Sequence, residues 1–323
     1  MDKSISPRRQ EAFGTILYDM STDTFSAVAK VGAELITRNP IAIAWIILGG
    51  CNLQCIHCYG NQEELPRTIL STKECFEIAD RLIEANVLRV VISGGEPMMR
   101  GDISDIISHL QSGGISVVLG TNGTYINHEN VDALARCTRV EVSLDAATPE
   151  MNRQIRPSRI KNGDAWAETM QAIQLCLEAK VNLRVLTALN SHNQNQIVGI
   201  AGVLSSLGVT DWGVSWTIPA GRARYIYERL RPDRKVIEKS IREARRLFPS
   251  INIRYTDRIT STFSRFYCLI LPDGQMATED VNAGQKVSYG SLLEENVASM
   301  WNAENFNLEQ HFQKWVGDRV TYT

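Results

Sequence analysis

The chain has 323 residues, with 34 Lys and Arg against 36 Asp and Glu. A formal charge of -2 gives no global attraction to nucleic acid or anionic lipid. A hydrophobic fraction of 44% beside 22% charged residues is that of an ordinary globular chain, long enough to bury a core without disulfides. Met1 to Gly14 is polar with no apolar region behind it, so no secretory signal is expected. The most apolar run, Ile41–Leu48, is too short to span a bilayer. A cytoplasmic setting follows, in which thiols stay reduced. An odd total of seven cysteines also argues against a fully paired disulfide framework.

In chain order, residues 1–40 read as an N-terminal extension: short extended pieces at Thr15–Tyr18 and Phe25–Val28, then a helix. From residue 41 the pattern becomes regular. Strand-like runs are expected at Ile41–Leu48, Val87–Ser93, Ile115–Leu119, Val140–Leu144, Val181–Leu189 and Trp212–Ile218. Helical spacing follows each of them, at Ser71–Ala85, Ile103–Leu110, Asn130–Arg136, Ala165–Ala179, Ile197–Leu207 and Asp233–Leu247. Near-continuous apolar strands alternating with helices predict an α/β fold whose parallel sheet is covered by helices. A barrel and an open doubly wound sheet both fit. Gly-rich and polar residues gather after the strand C-terminal ends, where both architectures place active sites. Residues 251–323 read as a smaller α+β extension. It has a hairpin turn at Pro272-Asp273-Gly274 and helical pieces at Leu292–Trp301 and Glu304–Trp315.

The sharpest feature is Cys51-Asn52-Leu53-Gln54-Cys55-Ile56-His57-Cys58, directly after the first strand. Inert core thiols are one reading, but polar Asn52, Gln54 and His57 interrupt the run. Zinc is another; it wants four ligands, or three with an open position. Three closely spaced thiolates also suit three irons of a four-iron, four-sulfur cluster, leaving the fourth iron without a protein ligand.

Cys-x-x-x-Cys-x-x-Cys after the first strand of a β/α unit resembles the radical S-adenosylmethionine (SAM) superfamily. That resemblance implies a partial (β/α)6 TIM-like barrel over 41–250, one 4Fe-4S cluster on Cys51, Cys55 and Cys58, and SAM chelated to the unique iron. It implies reductive cleavage of SAM to a 5′-deoxyadenosyl radical that abstracts hydrogen from carbon. Other strand ends fit the same family. Gly94-Gly95-Glu96-Pro97 resembles the motif that binds the SAM amino group. Thr121-Asn122-Gly123 resembles a turn of the same site. Ser143 and Asp145 stand where relatives face the SAM ribose or carboxylate, and Arg156 where they place an arginine against the carboxylate. By the same resemblance His57 lies near the adenine, and Leu186 and Trp216 line its pocket.

Pro219-Ala220-Gly221-Arg222, Pro272-Asp273-Gly274 and Met300-Trp301 resemble the SPASM-type branch, whose members often modify ribosomal peptides. Relatives carry auxiliary clusters in this tail. Here the tail has only Cys268, and Ala277-Thr278-Glu279-Asp280 follows the turn where a cysteine is expected. The extension at 251–323 therefore reads as a degenerate SPASM-like domain without a second cluster. Cys268 is left as a structural thiol or a catalytic one near the substrate. Cys75, Cys137 and Cys176 fall on apolar helical faces and read as core.

The expected function is hydrogen abstraction from a ribosomally made peptide, leading to a crosslink, epimerisation or another carbon-centred change. A small-molecule substrate (sugar, nucleoside or tetrapyrrole precursor) is the alternative, and a non-catalytic metal-binding scaffold the third reading. The expected partners are the substrate and an electron donor such as flavodoxin or ferredoxin, with no nucleic acid and no membrane.

Overall fold

The computed structural model describes residues 8–11, 15–19, 24–27, 39–40, 42–60, 65–256, 266–280, 285–301 and 320–322. The expected helices after Val28 and at Glu304–Trp315 lie outside these residues. A small sheet has the order β1-β2-β3-β14, from β1 (Arg8–Glu11), β2 (Thr15–Asp19), β3 (Thr24–Ala27) and β14 (Val320–Tyr322). β14 runs parallel to β3, so the two ends of the chain share one sheet.

The main sheet has ten strands. β4 (Ala42–Leu48), β5 (Arg89–Gly94), β6 (Ser116–Thr121), β7 (Arg139–Ser143), β8 (Leu183–Leu189), β9 (Asp211–Trp216) and β10 (Asn252–Thr256) are parallel neighbours in sequence order. Between them lie α1 (Thr72–Glu84), α2 (Ile103–Ser112), α3 (Val131–Leu134), α4 (Pro149–Ile155), α5 (Ala165–Glu178), α6 (Ile197–Leu207), α7 (Tyr227–Leu230) and α8 (Arg234–Leu247). The six expected strands and their helices are all present. β10 is additional. Its five residues, Asn-Ile-Arg-Tyr-Thr, carry too little apolar pattern to read as a strand, yet it pairs parallel to β9 along its whole length. On the other side of β4, β11 (Phe266–Ile270) adds parallel, followed by antiparallel β12 (Gln275–Asp280) and β13 (Gln285–Ser291). The expected turn at Pro272-Asp273-Gly274 joins β11 to β12. The last helix, α9, is shorter than expected and covers Val297–Trp301.

Strand parity sorts the side chains. Ile43, Trp45, Val90, Ile92, Val117, Leu119, Val140, Val142 and Val185 join α1, α2, α5, α6 and α8 in one apolar core, so the helices pack on a single face. The register puts Ala44, Val91, Val118, Glu141, Leu186 and Gly213 on the opposite, inner face. This is a TIM-like barrel left open, with helices outside. Toward the N-terminal ends of the strands the inner face carries a ladder of ion pairs. Arg139 and Arg184 meet Glu141, and Arg184 and Arg254 meet Asp211. Toward the C-terminal ends it carries small residues, among them Ser93, Gly120, Ser143, Ala188 and Ser215. The inner face is thus charged at the floor and roomy at the top, where the loops converge.

Among the described residues, no helix is long and apolar enough to cross a membrane.

Candidate active site

The cysteine loop leaves β4 at Leu48 and is fixed from beneath by the turn after β5. Gly95 N–H donates to the Leu48 carbonyl at 2.7 Å, and Glu96 N–H to the Gly50 carbonyl at 2.9 Å. Gly94 has φ +151°, and a Cβ on Gly95 would stand 1.8 Å from the Gly50 oxygen. Only glycines allow this approach. Gly94-Gly95 therefore sets the start of the cysteine loop, whatever else it binds. Pro97 then opens a single 3-10 turn, Pro97–Met99.

Two further segments clamp the loop. The chain leaving α4 lies alongside it: Gln54 N–H donates to the Pro157 carbonyl at 2.8 Å, Ile56 N–H to Ile155 at 2.9 Å, and Arg159 N–H to Asn52 at 2.8 Å. The chain after β9 reaches across from the far side of the parallel run. Arg222 N–H donates to the Cys58 carbonyl at 2.9 Å, and its guanidinium to the Cys55 carbonyl at 2.8 Å. The loop therefore has little regular structure of its own and takes its shape from the segments after β5, α4 and β9.

Cys51, Cys55 and Cys58 are unbridged and half-buried on this loop. Burial pushes the Cys55 thiol up to about 12, against the pull of Arg156, with Cys58, Asp145 and Cys51 adding repulsion. Burial also raises Cys58, while Arg222 and Arg159 pull it back. Three bare thiolates are unfavourable here, and a group that brings several metal charges offsets that cost. Among the described residues, no three His, Cys, Asp or Glu side chains converge so as to hold a single metal ion.

The side chains around the loop form a buried polar web. Glu96 is 0% exposed and accepts from Thr121 Oγ1 at 2.6 Å, Asn122 N–H at 2.7 Å and Met98 N–H at 3.0 Å. Burial still raises its carboxyl, against those three donors and Arg156. The carboxylate is enclosed and ties the end of β6 to the turn after β5. Asn122 Nδ2 donates to Asn52 Oδ1 at 2.8 Å and lies 3.7 Å from Cys51 Sγ, while Asn52 Nδ2 donates to Thr124 Oγ1 at 2.8 Å.

Asp145 is a second hub. Its Oδ1 accepts from Ala188 N–H at 2.7 Å, and its Oδ2 lies 3.3 Å from His57 Nε2 and 3.7 Å from Arg156 Nε. Burial would raise this carboxyl, but His57, Arg156 and the Ala188 N–H outweigh it and hold it low. Arg156 is 2% exposed and directs its guanidinium at the Ser143 and Asn122 carbonyls. It braces the strand ends of β6 and β7. Asp145 shares that internal role. His57 and Ser143 keep partial exposure at the site.

Trp216 and Cys268 lie on the outer face of the sheet. Trp216 pairs with Leu189 and sits in the outer apolar core, under Arg234 and bonded through Nε1 to Tyr255 at 2.7 Å. Its neighbour Ser215 takes the inner face. Cys268 is 1% exposed in the same outer core, and burial raises its thiol. The inner face of β11 belongs to Leu269, opposite Ala44. Of the two readings of Cys268, its placement is that of a core thiol. Leu186 does reach the inner face, level with Ser143. Cys75, Cys137 and Cys176 are core, as expected.

The radical SAM superfamily matches residues 45–204. The chain is similar to the mycofactocin maturase MftC of Mycobacterium ulcerans, 30% identical over 60% of this chain and 52% of the relative. It is equally similar to an AdoMet-dependent heme synthase of Methanosarcina barkeri, 31% identical over 58% of this chain and 53% of the relative. The chain thus spans about half the length of the curated relatives it matches. Among solved structures it resembles Streptococcus suis SuiB bound to S-adenosylmethionine, with TM-score 0.66 and 15% identity, covering 84% of this chain and 67% of that one. It also resembles anSMEcpe with bound AdoMet and a peptide, with TM-score 0.65 and 16% identity over 84% and 82%. At these identities the structures speak for the fold.

Proposed function

We propose that this chain, which matches the radical SAM superfamily over residues 45–204, is a member of it and an enzyme that abstracts hydrogen from a carbon of a ribosomally made peptide. The observation that carries the class is the triplet Cys51, Cys55 and Cys58, held half-exposed at the strand ends on a loop whose backbone three other segments fix. These thiolates would hold one 4Fe-4S cluster. The cluster and SAM, when bound, supply a carbon-centred radical by one-electron cleavage of SAM.

The protein's own residues then orient and enclose. The Gly94-Gly95 backbone presents polar groups where no side chain intervenes. Ser143 and Leu186 form the inner wall, and His57 is aimed by Asp145. Asn122 places an amide N–H near Cys51 Sγ, which stabilises negative charge on that sulfur. Glu96 and Arg156 keep these strand ends in register. The small inner residues above the charged floor leave room for a substrate side chain.

The peptide reading is supported by the maturase relative and by the SPASM-like tail motifs. The resemblance to heme synthases favours a tetrapyrrole precursor as the second reading. The proposed division is an extension at 1–40, the barrel at 41–250, to whose sheet β10 adds one more strand, and a degenerate tail at 251–323, in a cytoplasmic protein.

Anaerobic reconstitution tests the class. About four irons per chain and 5′-deoxyadenosine formed with dithionite are expected; neither appearing sinks it. Incubation with a short peptide encoded beside the gene separates the substrates. A mass change in the peptide supports the main reading, and turnover of a porphyrin precursor instead supports the second.

A further inference from the structure

The side chains of Asn52, Thr124 and Asn122 close a ring of hydrogen bonds beside Cys51. Asn122 Nδ2 donates to Asn52 Oδ1 at 2.8 Å, Asn52 Nδ2 to Thr124 Oγ1 at 2.8 Å, and Thr124 Oγ1 to Asn122 Oδ1 at 2.7 Å. Every donor in the ring points the same way round. One backbone group sets that direction. Gly123, at φ +85°, turns the chain so that Thr124 N–H meets Asn122 Oδ1 at 2.9 Å, and an N–H can only donate. The carbonyl end of Asn122 therefore faces Thr124, and its amide end faces Asn52 and Cys51. Both hydrogens of Nδ2 are then placed: one goes to Asn52, and the other lies toward Cys51 Sγ, 3.7 Å away. Turning this amide over would set its oxygen against Asn52 Oδ1 and leave the Thr124 N–H facing another donor, so the orientation is locked.

The ring is also held in place as a unit. The Asn52 carbonyl accepts from Arg159 N–H at 2.8 Å, and the Asn122 carbonyl from Thr169 Oγ1 at 2.9 Å. Asn122 N–H goes to Glu96 Oε2 at 2.7 Å. Both asparagines are buried, so water does not compete for these groups. Leu53 N–H adds a second donor to Cys51 Sγ, at 3.3 Å. Cys51 thus receives N–H groups from two separate segments, one of them aimed by the ring.

We propose that this ring sets the reduction potential of the group held on Cys51, Cys55 and Cys58, with Asn122 as the donor and Asn52 and Thr124 as the residues that position it. The proposal rests on the radical SAM reading above. One electron passes to that group from a low-potential one-electron reductant; no bond forms or breaks and no proton moves. Negative charge on the ligand sulfurs grows in that step. A fixed N–H dipole aimed at Cys51 Sγ stabilises the reduced form more than the oxidised one, and so raises the potential. Ring members that polarise one another in one direction strengthen that dipole. Because the amide is oriented before the electron arrives, it need not reorganise during the transfer. Thr124, one residue beyond the Thr121-Asn122-Gly123 turn, thereby gains a role in the site.

The test is a potentiometric titration of the reconstituted full chain without SAM, read by the electron paramagnetic resonance signal of the reduced form. Asn122→Ala should shift the reduction equilibrium toward the oxidised form by about tenfold, a fall of about 59 mV for a one-electron couple. Thr124→Val opens the ring while leaving Asn122 in place, and should give a smaller fall. Thr124→Ser keeps the hydroxyl and should keep the wild-type potential. Iron content, measured in each sample, separates a shifted potential from a lost cluster. A wild-type potential in iron-loaded Asn122→Ala overturns the proposal. Equal potentials in Thr124→Val and Thr124→Ser overturn it as well, and they decide the matter if Asn122→Ala fails to hold iron. A wild type that takes up no iron overturns the functional reading itself, and the ring's role falls with it.

Discussion

β4 and β11 are neighbours in one sheet, and each leads to cysteine, with opposite results. After β4 the chain carries three thiols on an irregular loop whose backbone is held by the segments after β5, α4 and β9. On β11, Cys268 is part of a regular strand and points into the outer apolar core. Burial raises thiols in both places, but only the loop adds neighbouring thiols, guanidinium groups and amide donors. A cysteine becomes a ligand through the backbone and charges around it, and its presence near a site says little alone.

The sharpest way to break this comparison is paired substitution. Cys55→Ala should abolish iron retention and SAM cleavage, measured by iron analysis and product formation after reconstitution. Cys268→Ala should retain both and cost about 1 kcal/mol of stability in urea unfolding, from a small core cavity. Loss of iron in the second variant would return Cys268 to the site. A smaller effect is expected from Gly95→Ala. Its Cβ meets Gly50 backbone, so the start of the loop must shift, at about 3 kcal/mol. Iron retention should fall further than the melting temperature alone would suggest. An unshifted melting temperature would show that the turn is not the foundation of the loop.

The smallest effect concerns the support beneath the loop. Arg100 ties Leu70 to Asp102, which also accepts from Thr72 Oγ1 at 2.6 Å. Burial would raise Asp102, but Arg100 and Thr72 prevail and lower it from its ordinary value of 3.8. A depressed carboxyl stabilises the fold fully above its unfolded value and loses that contribution as pH falls through the folded one. Asp102→Asn should therefore flatten the loss of unfolding free energy below about pH 4. An identical acid limb in wild type and variant would remove Asp102 from the account.

The sequence made the barrel legible because Ile41–Leu48 and its five successors are apolar and the helices between them are amphipathic. It did not reveal β10, whose alternating exposed residues sit at the sheet edge, uncovered among the described residues. Nor could it assign faces. In a strand buried on both sides, Trp216 and Ser215 differ only by parity, and parity is set by register with β8. Glu96 and Arg156 were found by motif, but their burial was hidden: a charged residue at a strand end reads as a contact for ligand until its internal partners are known. The cysteine triplet was found without difficulty because its chemistry is local. Arg222 and Asn122 stand out by motif, but that they support the triplet is not legible from spacing, because they lie far along the chain.

That remoteness bears on assembly. The carbonyl of Cys55 is held by a side chain 167 residues downstream. Contacts of such sequence separation are closed late, since the intervening chain must first be ordered. During synthesis the triplet emerges early and stays unshaped until the strand end at Trp216 and the turn after it have left the ribosome. Delivery of iron and sulfide is then best timed after release of the barrel, and a truncation before Arg222 would yield thiols in the right order with no form to receive a metal.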